Sequence, residues 1–417
     1  MYNILDGLRI VELSAFVAAP LGGLTLSQLG ADVVRIDHPD GGLDYKRWPL
    51  SENGRSLYWH GLNKGKRSVA IDISHPEGRA LAADLITAPD GDGILLTNFP
   101  ARGWLAYQAL KARRPDLIML NIVGNPDGST ALDYTINCAV GIPFATGDAV
   151  PDHPVNHMFP AWDAITGTLA AAGLLAAERR RHRTGEGQYI KLSLADVALA
   201  TIGHLGHIAE AQILGRNRSA IGNYLYGAFA RDFATRDDRR IMIVAITQKQ
   251  WSTLLAATGL GPTMERIAEE LGLDLSNEGG RFEARETIAG VLAPWCRLRT
   301  LTEIRSIFDK HVVCWGPYQT FTQLVREDPR CSIANPLFET VEQPGIGAYL
   351  MPGSPLTFGS IPREPVRPAP QLGEHTHAVL AEQLKMPARE FERLLQAGII
   401  AQHGQSAADL QSLRVPA

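Results

Sequence analysis

The chain has 417 residues and a formal net charge of -4, with 45% hydrophobic and 20% charged residues. This length exceeds what one simple hydrophobic core holds and predicts two domains. A weakly acidic chain of ordinary composition argues against nucleic acid or an anionic membrane as a partner. The N-terminal residues show no basic stretch before a long apolar run, and no segment offers the roughly 20 apolar residues of a membrane span. We therefore expect a cytoplasmic protein.

The N-terminal half alternates predicted strands and helices. Strand-like runs at 8–13 and 31–37 flank a helix at 20–29, which predicts a parallel βαβ unit. The alternation continues over three further segments: a helix at 75–88 and strands at 93–98 and 117–124. The pattern predicts a large Rossmann-like domain built on an open parallel sheet.

The clearest predicted helix spans 164–183, which is rich in Ala and Leu and ends in basic residues that complement the helix dipole. A strand at 188–194 and a helix over 195–214 follow it. The composition then changes at 215–227, where Gly, Asn and Tyr predominate, and the segment 344–373 is rich in Pro and Gly. Both segments are typical of connections that run over the surface between domains.

These changes predict an α/β fold of two domains. The large domain covers residues 1–200 and is completed by the C-terminal segment 380–417. The small α/β domain covers residues 225–330, and linkers at 201–224 and 331–379 connect the two.

No pattern of cysteine or histidine predicts a metal site. The chain has four scattered cysteines and no CxxC pair: Cys138, Cys296, Cys314 and Cys331. Free thiols are expected from such spacing. His204 and His207 lie three residues apart on one predicted helix with Glu210 on the same face, but no third ligand of known position completes a zinc site. Packed or solvated side chains explain this pair better.

The first turn between strand and helix invites a nucleotide interpretation. Asp37 ends the second strand, as a ribose-binding acid would. The turn, however, is SAFVAAPLGG at 14–23, and it lacks the G-x-G-x-x-G glycines through which a backbone approaches a pyrophosphate. The turn disfavours a nicotinamide or flavin enzyme and leaves open another phosphate-bearing ligand. Lys64, Lys66 and Arg67 form a basic cluster that is either a solvated edge or a contact with a ligand phosphate.

Asp163 stands just before the long predicted helix, in FPAWDAITG. Aspartate is a preferred N-cap residue, so a capping role is the simpler interpretation of this position. A carboxylate is also a competent nucleophile towards an activated acyl group, and the free N–H groups of a helix N-terminus steady negative charge nearby. Spacing and residue type leave both roles open.

The segments together resemble the family III CoA-transferases, the CaiB/BaiF group. The resemblance runs nearly end to end, and its specificity lies in the order and spacing of short pieces. The pieces are LDGLRIVEL at 5–13, LGADVVRID at 29–37, NKGKRSVAIDI at 63–73, TNFPARG at 97–103, the aspartate at 163, RTGEGQYIKLSLADVAL at 183–199, YGAFARD at 226–232, GSPLTF at 353–358 and PAPQLGEHT at 368–376.

The resemblance implies that Asp163 is a nucleophile that forms an aspartyl-CoA thioester. It implies coenzyme A, as part of the acyl-CoA substrate, as the only cofactor. It also implies an interlocked homodimer in which a Rossmann-like domain binds the CoA. The positions that match CoA contacts of the family are Val17, Ala18, Ile71, Asp72, Ile73, Ser74, Asn98, Phe99, Pro100 and Arg102.

The resemblance is strongest to members that move CoA from the C1 to the C4 carboxyl of mesaconate (2-methylfumarate) in the 3-hydroxypropionate carbon-fixation cycle. Three alternatives remain: CoA transfer between two different acids, an acyl-CoA racemase, and a CoA-binding regulatory protein without catalysis. Racemase members carry a histidine base about thirty residues before the aspartate, where this chain has Tyr134. Tyrosine is a poor base at neutral pH, which disfavours the racemase.

Overall fold

The computed structural model describes residues 1–148 and 153–404. The chain divides into two compact units. The first unit contains Met1–Val140, Met158–Ile208 and the described residues from Pro329 onward. The second contains the described residues of Gly141–His157 together with Ala209–Asp328. No helix in the described part of the chain is long and apolar enough to cross a membrane.

The strands are short, as expected of an α/β protein. In chain order they are β1 (Arg9–Leu13), β2 (Asp32–Asp37), β3 (Arg67–Ile71), β4 (Ile94–Thr97), β5 (Ile118–Val123), β6 (Gln188–Ser193), β7 (Phe229–Ala234), β8 (Arg240–Ala245), β9 (Trp315–Pro317), β10 (Phe338–Gln343), β11 (Gly347–Pro352) and β12 (Ile400–Ala401).

The helices vary in length from one turn to more than six. In chain order they are α1 (Ala18–Gln28), α2 (Leu57–Leu62), α3 (Pro76–Ile86), α4 (Tyr107–Arg113), α5 (Asp133–Ala139), α6 (Ile142–Ala145), α7 (Ala161–Thr184), α8 (Leu194–His204), α9 (His207–Leu214), α10 (Gln248–Thr258), α11 (Gly261–Leu271), α12 (Glu278–Glu283), α13 (Arg285–Arg297), α14 (Leu301–His311), α15 (Phe321–Glu327), α16 (Thr376–Leu384) and α17 (Ala388–Gln396).

The first unit is built on a seven-stranded sheet of order β12-β3-β2-β1-β4-β5-β6. Neighbouring strands are parallel except β12, which pairs antiparallel with β3. The order 3-2-1-4-5-6 is that of the Rossmann fold, and it reverses direction between β1 and β4. The predicted Rossmann-like parallel sheet is therefore confirmed. Ligands in such sheets bind at the carboxyl ends of the strands where the order reverses.

Apolar side chains cover both faces of this sheet. One core joins strand residues such as Val69 and Leu95 to the helices α3, α16 and α17, and the other joins Ile10 and Ile118 to α1 and α7. Strands buried on both faces have continuous apolar sequences rather than alternating ones. This explains why runs such as 117–124 were recognisable as strands without a period of two.

Helices α1 and α7 lie unusually close because glycines form their contact. A Cβ on Gly167 would stand 2.6 Å from the carbonyl oxygen of Ala18, and a Cβ on Gly22 would stand 3.1 Å from the carbonyl oxygen of Gly167. Any larger residue at 167 would push the two backbones apart. The contact holds the first turns of both helices beside the carboxyl ends of β1 and β4.

A buried ion network ties the first three strands together. Lys66 donates to both carboxylate oxygens of Glu12, at 3.1 and 2.9 Å, and both side chains are fully buried. Arg35 donates to Glu12 at 2.9 Å and to Asp37 at 2.7 Å. A Cβ on Gly23 would stand 1.8 Å from a Glu12 carboxylate oxygen, so a glycine is required where α1 passes the network.

This network corrects both interpretations of the basic cluster. Lys66 is neither on a solvated edge nor free for a ligand phosphate, because its ammonium is used inside the protein. Burial lowers the pKa of Lys66 to about 8, although Glu12 opposes the shift. Lys64 is also buried, and burial alone lowers its pKa to about 8.

The second unit combines a three-stranded antiparallel sheet, β7-β8-β9, with helices α10 to α14. Its core contains aromatic residues, among them Trp295 and Phe308, whose rings stack with centroids 5.3 Å apart. Helices α10 and α14 begin with capping boxes at Thr247 and Thr300, which satisfy the free N–H groups of their first turns.

Three local predictions were wrong. The long helix begins at Ala161, so Asp163 lies inside its first turn rather than at the N-cap, which is Pro160. His204 ends α8 and His207 begins α9, so the two histidines do not share a helix. The segment 344–373 is not wholly irregular, because it contains β11 of the antiparallel hairpin β10-β11. A six-residue hairpin strand in a Pro-rich context gives too weak a local signal to be recognised.

Replacing Lys66 by Met should destabilise the protein by about 3 kcal/mol, because Glu12 would stay buried without its closest cation. Urea denaturation measures the difference. The matched control is Lys385→Met, which breaks an ion pair with Asp90 whose side chains are 71% and 61% exposed and which should change stability by less than about 0.5 kcal/mol. Equal effects of the two substitutions would contradict a structural role for the network.

Candidate functional site

A cavity of about 260 Å³ lies at the carboxyl ends of β1, β4 and β5, where the strand order reverses. All of its lining residues belong to the first unit. Most of the wall is apolar, and the polar side chains include an arginine and two aspartates. The lining residues are Ala15, Phe16, Ala18, Arg47, Asn98, Phe99, Ile122, Val123, Gly124, Ala131, Leu132, Asp133, Tyr134, Asp163 and Leu194.

The loop after β1 is held in a strained conformation at this cavity. Phe16 has a φ of 67°, a left-handed value that non-glycine residues rarely adopt. Its N–H donates to the carboxylate of Asp44 at 2.9 Å. The amide side chain of Asn98 accepts from the N–H of Ala15 at 3.0 Å and donates to its carbonyl at 2.7 Å. Asn98 therefore links the end of β4 to this loop.

Helix α5 positions the first turn of α7. The carboxylate of Asp133 accepts a hydrogen bond at 2.9 Å from the backbone N–H of Asp163, one of the N–H groups that no helical carbonyl satisfies. One turn further along α5, Asn137 accepts from the indole of the buried Trp162 at 3.2 Å. The start of α7 is thus held at both the backbone and a side chain, and Asp163 faces the cavity.

Asp163 is an unusual carboxyl group. Burial raises its pKa to about 7, and the neighbouring Asp133 carboxylate adds to the rise. The Arg47 guanidinium opposes the shift. A carboxyl group with a pKa near neutrality is a stronger nucleophile when ionised than an ordinary aspartate, and a better leaving group than a thiolate. The site can therefore form and break acyl bonds at Asp163.

Four of the residues predicted from the sequence meet at or beside this cavity. Ala18, Asn98, Phe99 and Asp163 line it. Val17 precedes α1 as its N-cap, is buried, and is not among the residues that line the cavity.

The remaining predicted CoA contacts lie along the same edge of the sheet but outside the cavity wall. Ile71 is fully buried at the end of β3, and the segment Asp72–Ser74 follows it. Pro100 and the exposed Arg102 follow β4. These residues extend from the cavity towards β3, and the assignment of their contacts to CoA remains a prediction.

Sequence reasoning did not connect three polar residues of the cavity wall with Asp163. They are Arg47, Asp133 and Tyr134. Arg47 lies in a loop between β2 and β3, and Asp133 lies thirty residues before Asp163, so no local spacing connects them. Tyr134 was considered only as a replacement for a histidine base. Its hydroxyl donates to the carbonyl of Met158 at 3.1 Å, which is a structural bond.

A Rossmann-type sheet with no glycine-rich fingerprint, and a half-buried aspartate at its switch point, is compatible with an enzyme that uses a carboxylate for acyl transfer. Among the described residues no cluster of His, Cys, Asp or Glu is arranged to hold a metal ion. Residues 5–376 match the model of CoA-transferase family III, and the chain belongs to this family.

Individual relatives agree with this placement. The chain is 56% identical to 2-methylfumaryl-CoA isomerase of Chloroflexus aurantiacus, over 96% of this chain and 98% of the relative. It is 28% identical to succinyl-CoA:mesaconate CoA-transferase of Haloarcula hispanica, over 91% and 96% of the two chains. The crystal structure of a CAIB/BAIF family protein from Brucella suis superposes with a TM-score of 0.75 at 25% identity, covering 92% of this chain and 100% of that one.

If Asp163 is the nucleophile, activity should rise with pH through a midpoint near 7, because only the ionised carboxylate attacks the thioester. Asp133→Asn removes a like charge and keeps an oxygen that can accept from the N–H of Asp163, so the midpoint should fall by about one pH unit. The pH dependence of kcat/KM measures the shift. The control Asp127→Asn changes an exposed aspartate on the preceding loop and should leave the midpoint in place. An unmoved midpoint in Asp133→Asn would contradict the assigned coupling.

Proposed function

We propose that this enzyme is a 2-methylfumaryl-CoA isomerase, which moves CoA from the C1 to the C4 carboxyl of mesaconate. The observation that carries the proposal is the 56% identity, over nearly the whole of both chains, to the isomerase of Chloroflexus aurantiacus. The site is compatible with this chemistry, because a nucleophilic aspartate faces a small and largely apolar cavity.

The reaction begins when the carboxylate of Asp163 attacks the C1 thioester carbonyl. The bond from C1 to sulfur breaks, CoA leaves as a thiolate, and a mixed anhydride joins Asp163 to mesaconate. The thiolate then attacks the aspartyl carbonyl of the anhydride. This step releases the C1 carboxylate of mesaconate and leaves an aspartyl-CoA thioester.

The second half repeats these steps from the other end of the acid. The C4 carboxylate attacks the aspartyl thioester, which releases the thiolate and forms a second anhydride. Attack of the thiolate on C4 produces the C4 thioester and regenerates the Asp163 carboxylate. Mesaconate stays bound between the two halves and presents its opposite carboxyl to Asp163.

The protein contributes positioning and exclusion of water. Anhydrides hydrolyse readily, and the apolar wall formed by residues such as Phe16, Ile122 and Leu194 limits access of water to them. The N-terminal turn of α7 places a positive dipole end beside the oxygen atoms that gain charge. In this proposal the cofactor portion of the substrate lies along the carboxyl edge of the sheet, where the predicted CoA contacts follow the strands: Val17, Ala18, Ile71–Ser74, Asn98–Pro100 and Arg102. No cofactor other than this CoA enters the proposed reaction.

Transfer between two different acids is a second candidate. Its support is the identity of 28% to succinyl-CoA:mesaconate CoA-transferase of Haloarcula hispanica, whose name describes an exchange between two acids. The same aspartyl thioester serves both reactions. The difference lies in whether free mesaconate leaves before the second half begins.

We also propose that two copies of the chain form an interlocked homodimer in the cytoplasm. Support comes from an apolar face of α7 that is exposed in the single chain and opposite to its buried face. Phe159 is 62% exposed, Leu169 47% and Ile165 40%. Contiguous exposed apolar surface of this kind marks an interface with another protein surface.

Purified protein incubated with mesaconyl-C1-CoA and isotopically labelled free mesaconate tests the proposed function. We expect conversion to the C4 thioester without incorporation of label, because the released acid stays bound. Chromatography with mass spectrometry measures both products. Asp163→Asn should lower the rate at least about 10³-fold, whereas the loop control Asp127→Asn should retain it.

The outcome separates the two candidates. A strict requirement for added acid, or rapid entry of label into the thioester, would rule out the intramolecular reaction and favour exchange between acids. Hydroxylamine should trap Asp163 as a hydroxamate after acyl-CoA is added. Full activity in Asp163→Asn would disprove the aspartyl mechanism for both candidates.

Light scattering of the purified protein tests the dimer, and twice the mass of one chain is expected. The double substitution Ile165→Asp, Leu169→Asp places charges in the apolar face of α7 and should shift the mass towards one chain. Leu298→Asp introduces the same charge at a 69% exposed leucine of the second unit and should leave the mass unchanged. A wild-type protein with the mass of one chain would contradict the proposal.

A further inference from the structure

The side chain of Arg47 belongs to the cavity wall. Its planar group sits over two aromatic rings, 5.3 Å from the ring centre of Phe16 and 4.5 Å from that of Tyr58. Its Nη1 atom is buried and makes no hydrogen bond within the described residues. A buried donor without an acceptor costs free energy, so such a group is normally explained by a ligand or by water.

Comparison with Arg35 shows how unusual this is. Arg35 is buried as a whole residue, whereas Arg47 is half-buried, and Arg35 donates to the carboxylates of Glu12 and Asp37 within 2.9 Å. Arg47 forms no ion pair within 4.0 Å among the described residues, although it shares its cavity with the carboxylates of Asp133 and Asp163. The Arg47 guanidinium therefore lies in the same cavity as the Asp163 carboxylate without forming an ion pair with it.

The fold holds Arg47 in this position from several sides. The hydroxyl of Ser56 donates to the backbone carbonyl of Arg47 at 2.6 Å, and the same hydroxyl accepts from the N–H of Trp59 at the start of α2. The aromatic rings of Phe16 and Tyr58 restrict the guanidinium plane. The hydroxyl of Tyr58 is itself buried without a partner in the described residues. Arg47 and Tyr58 thus each carry a buried donor without an acceptor among the described residues.

The proposed reaction, on which this inference rests, supplies a matching acceptor. The acyl group carries a free carboxylate at C4 before transfer and at C1 afterwards, and between the two halves the bound acid is a dianion. An apolar cavity would expel that charge unless a cation compensates it. Arginine binds a carboxylate through two parallel hydrogen bonds and keeps its orientation better than lysine does.

We infer that Arg47 binds the free carboxylate of the acyl group, holds the acid between the two halves of the reaction, and selects dicarboxylic over monocarboxylic acyl-CoA. Arg47 is in this view a specificity-determining residue that contacts the substrate.

The test compares two thioesters that differ only in this carboxylate. Mesaconyl-C1-CoA carries it, and (E)-2-methylbut-2-enoyl-CoA has a methyl group in its place. The rate measured is formation of the aspartyl-CoA thioester, trapped with hydroxylamine in a single turnover. Measurements at pH 9 keep Asp163 ionised in every variant, so that a changed charge environment does not mimic a binding effect.

Arg47→Gln should lower this single-turnover rate, measured at subsaturating thioester, about 10²-fold for the dicarboxylic thioester and less than about threefold for the monocarboxylic one. Arg47→Lys should recover part of the loss, because it restores the charge without the planar fork. The matched control is Arg55→Gln, which removes an exposed arginine of the same loop and should change neither rate. Thermal melting shows whether each variant is folded. If Arg47→Gln does not fold, the same comparison of the two thioesters is made with Arg47→Lys.

Equal losses for the two thioesters would overturn the inference and assign Arg47 to the thioester or to Asp163 instead. Failure of the proposed isomerase function is a separate result. A wild type that forms the aspartyl thioester from mesaconyl-CoA without producing the C4 isomer contradicts the isomerase. The discrimination by Arg47 stays measurable in that case, because it is read from the first half of the reaction.

Discussion

Helix α7 brings Asp163 to the switch point of the sheet because glycine allows it to lie directly against α1. Gly167 follows Asp163 by one helical turn, and a side chain there would meet the carbonyl of Ala18 at 2.6 Å. Asp163 and the loop after β1 are therefore fixed relative to each other by backbone contact rather than by flexible side chains. The close contact of α1 and α7 is what brings the N-terminus of α7 to the cavity at the strand ends.

A second constraint lies beneath the first. The buried group of Glu12, Arg35 and Lys66 ties together β1, β2 and the start of β3, and Asp44 extends it to the N–H of Phe16. Such networks add little net stability compared with an apolar core, but breaking one is expensive, and the cost enforces a single arrangement. Here that arrangement includes a left-handed Phe16 at the wall of the active site. Strain at a functional position is thereby maintained by charges buried several residues away.

The electrostatics of the cavity balance two needs of the proposed chemistry. Burial and Asp133 raise the pKa of Asp163, which makes the carboxylate more reactive, and Arg47 limits the rise so that the ionised form persists near neutral pH. The same guanidinium, unpaired among aromatic rings, is free to bind a substrate carboxylate. In the proposed reaction, Arg47 stabilises the Asp163 carboxylate and then the free carboxylate of the substrate. This allows a cavity of about 260 Å³ to hold a dicarboxylate while CoA moves from one carboxyl to the other.

Much of the architecture was predictable from local pattern. The largely apolar run at 117–124 and the strand-like run at 31–37 predicted parallel strands between helices, and the resemblance of ordered short segments identified the family. The role of Asp163 as the nucleophile stays a prediction. The sequence also excluded a dinucleotide fingerprint in the turn after β1, because the required glycines are missing.

Only the tertiary structure decided the surroundings of Asp163. Asp163 is a first-turn residue of α7 rather than its N-cap, because the N-cap is Pro160. The carboxylate of Asp133 accepts a hydrogen bond from the backbone N–H of Asp163. Lys66 was ambiguous in sequence, since a basic cluster looks the same whether it faces solvent or a buried glutamate. Arg47 had no recognisable spacing to any catalytic residue. Local pattern specifies strands and helices, but which charges meet depends on strand order, and only the folded sheet brings residues 47, 133 and 163 to one cavity.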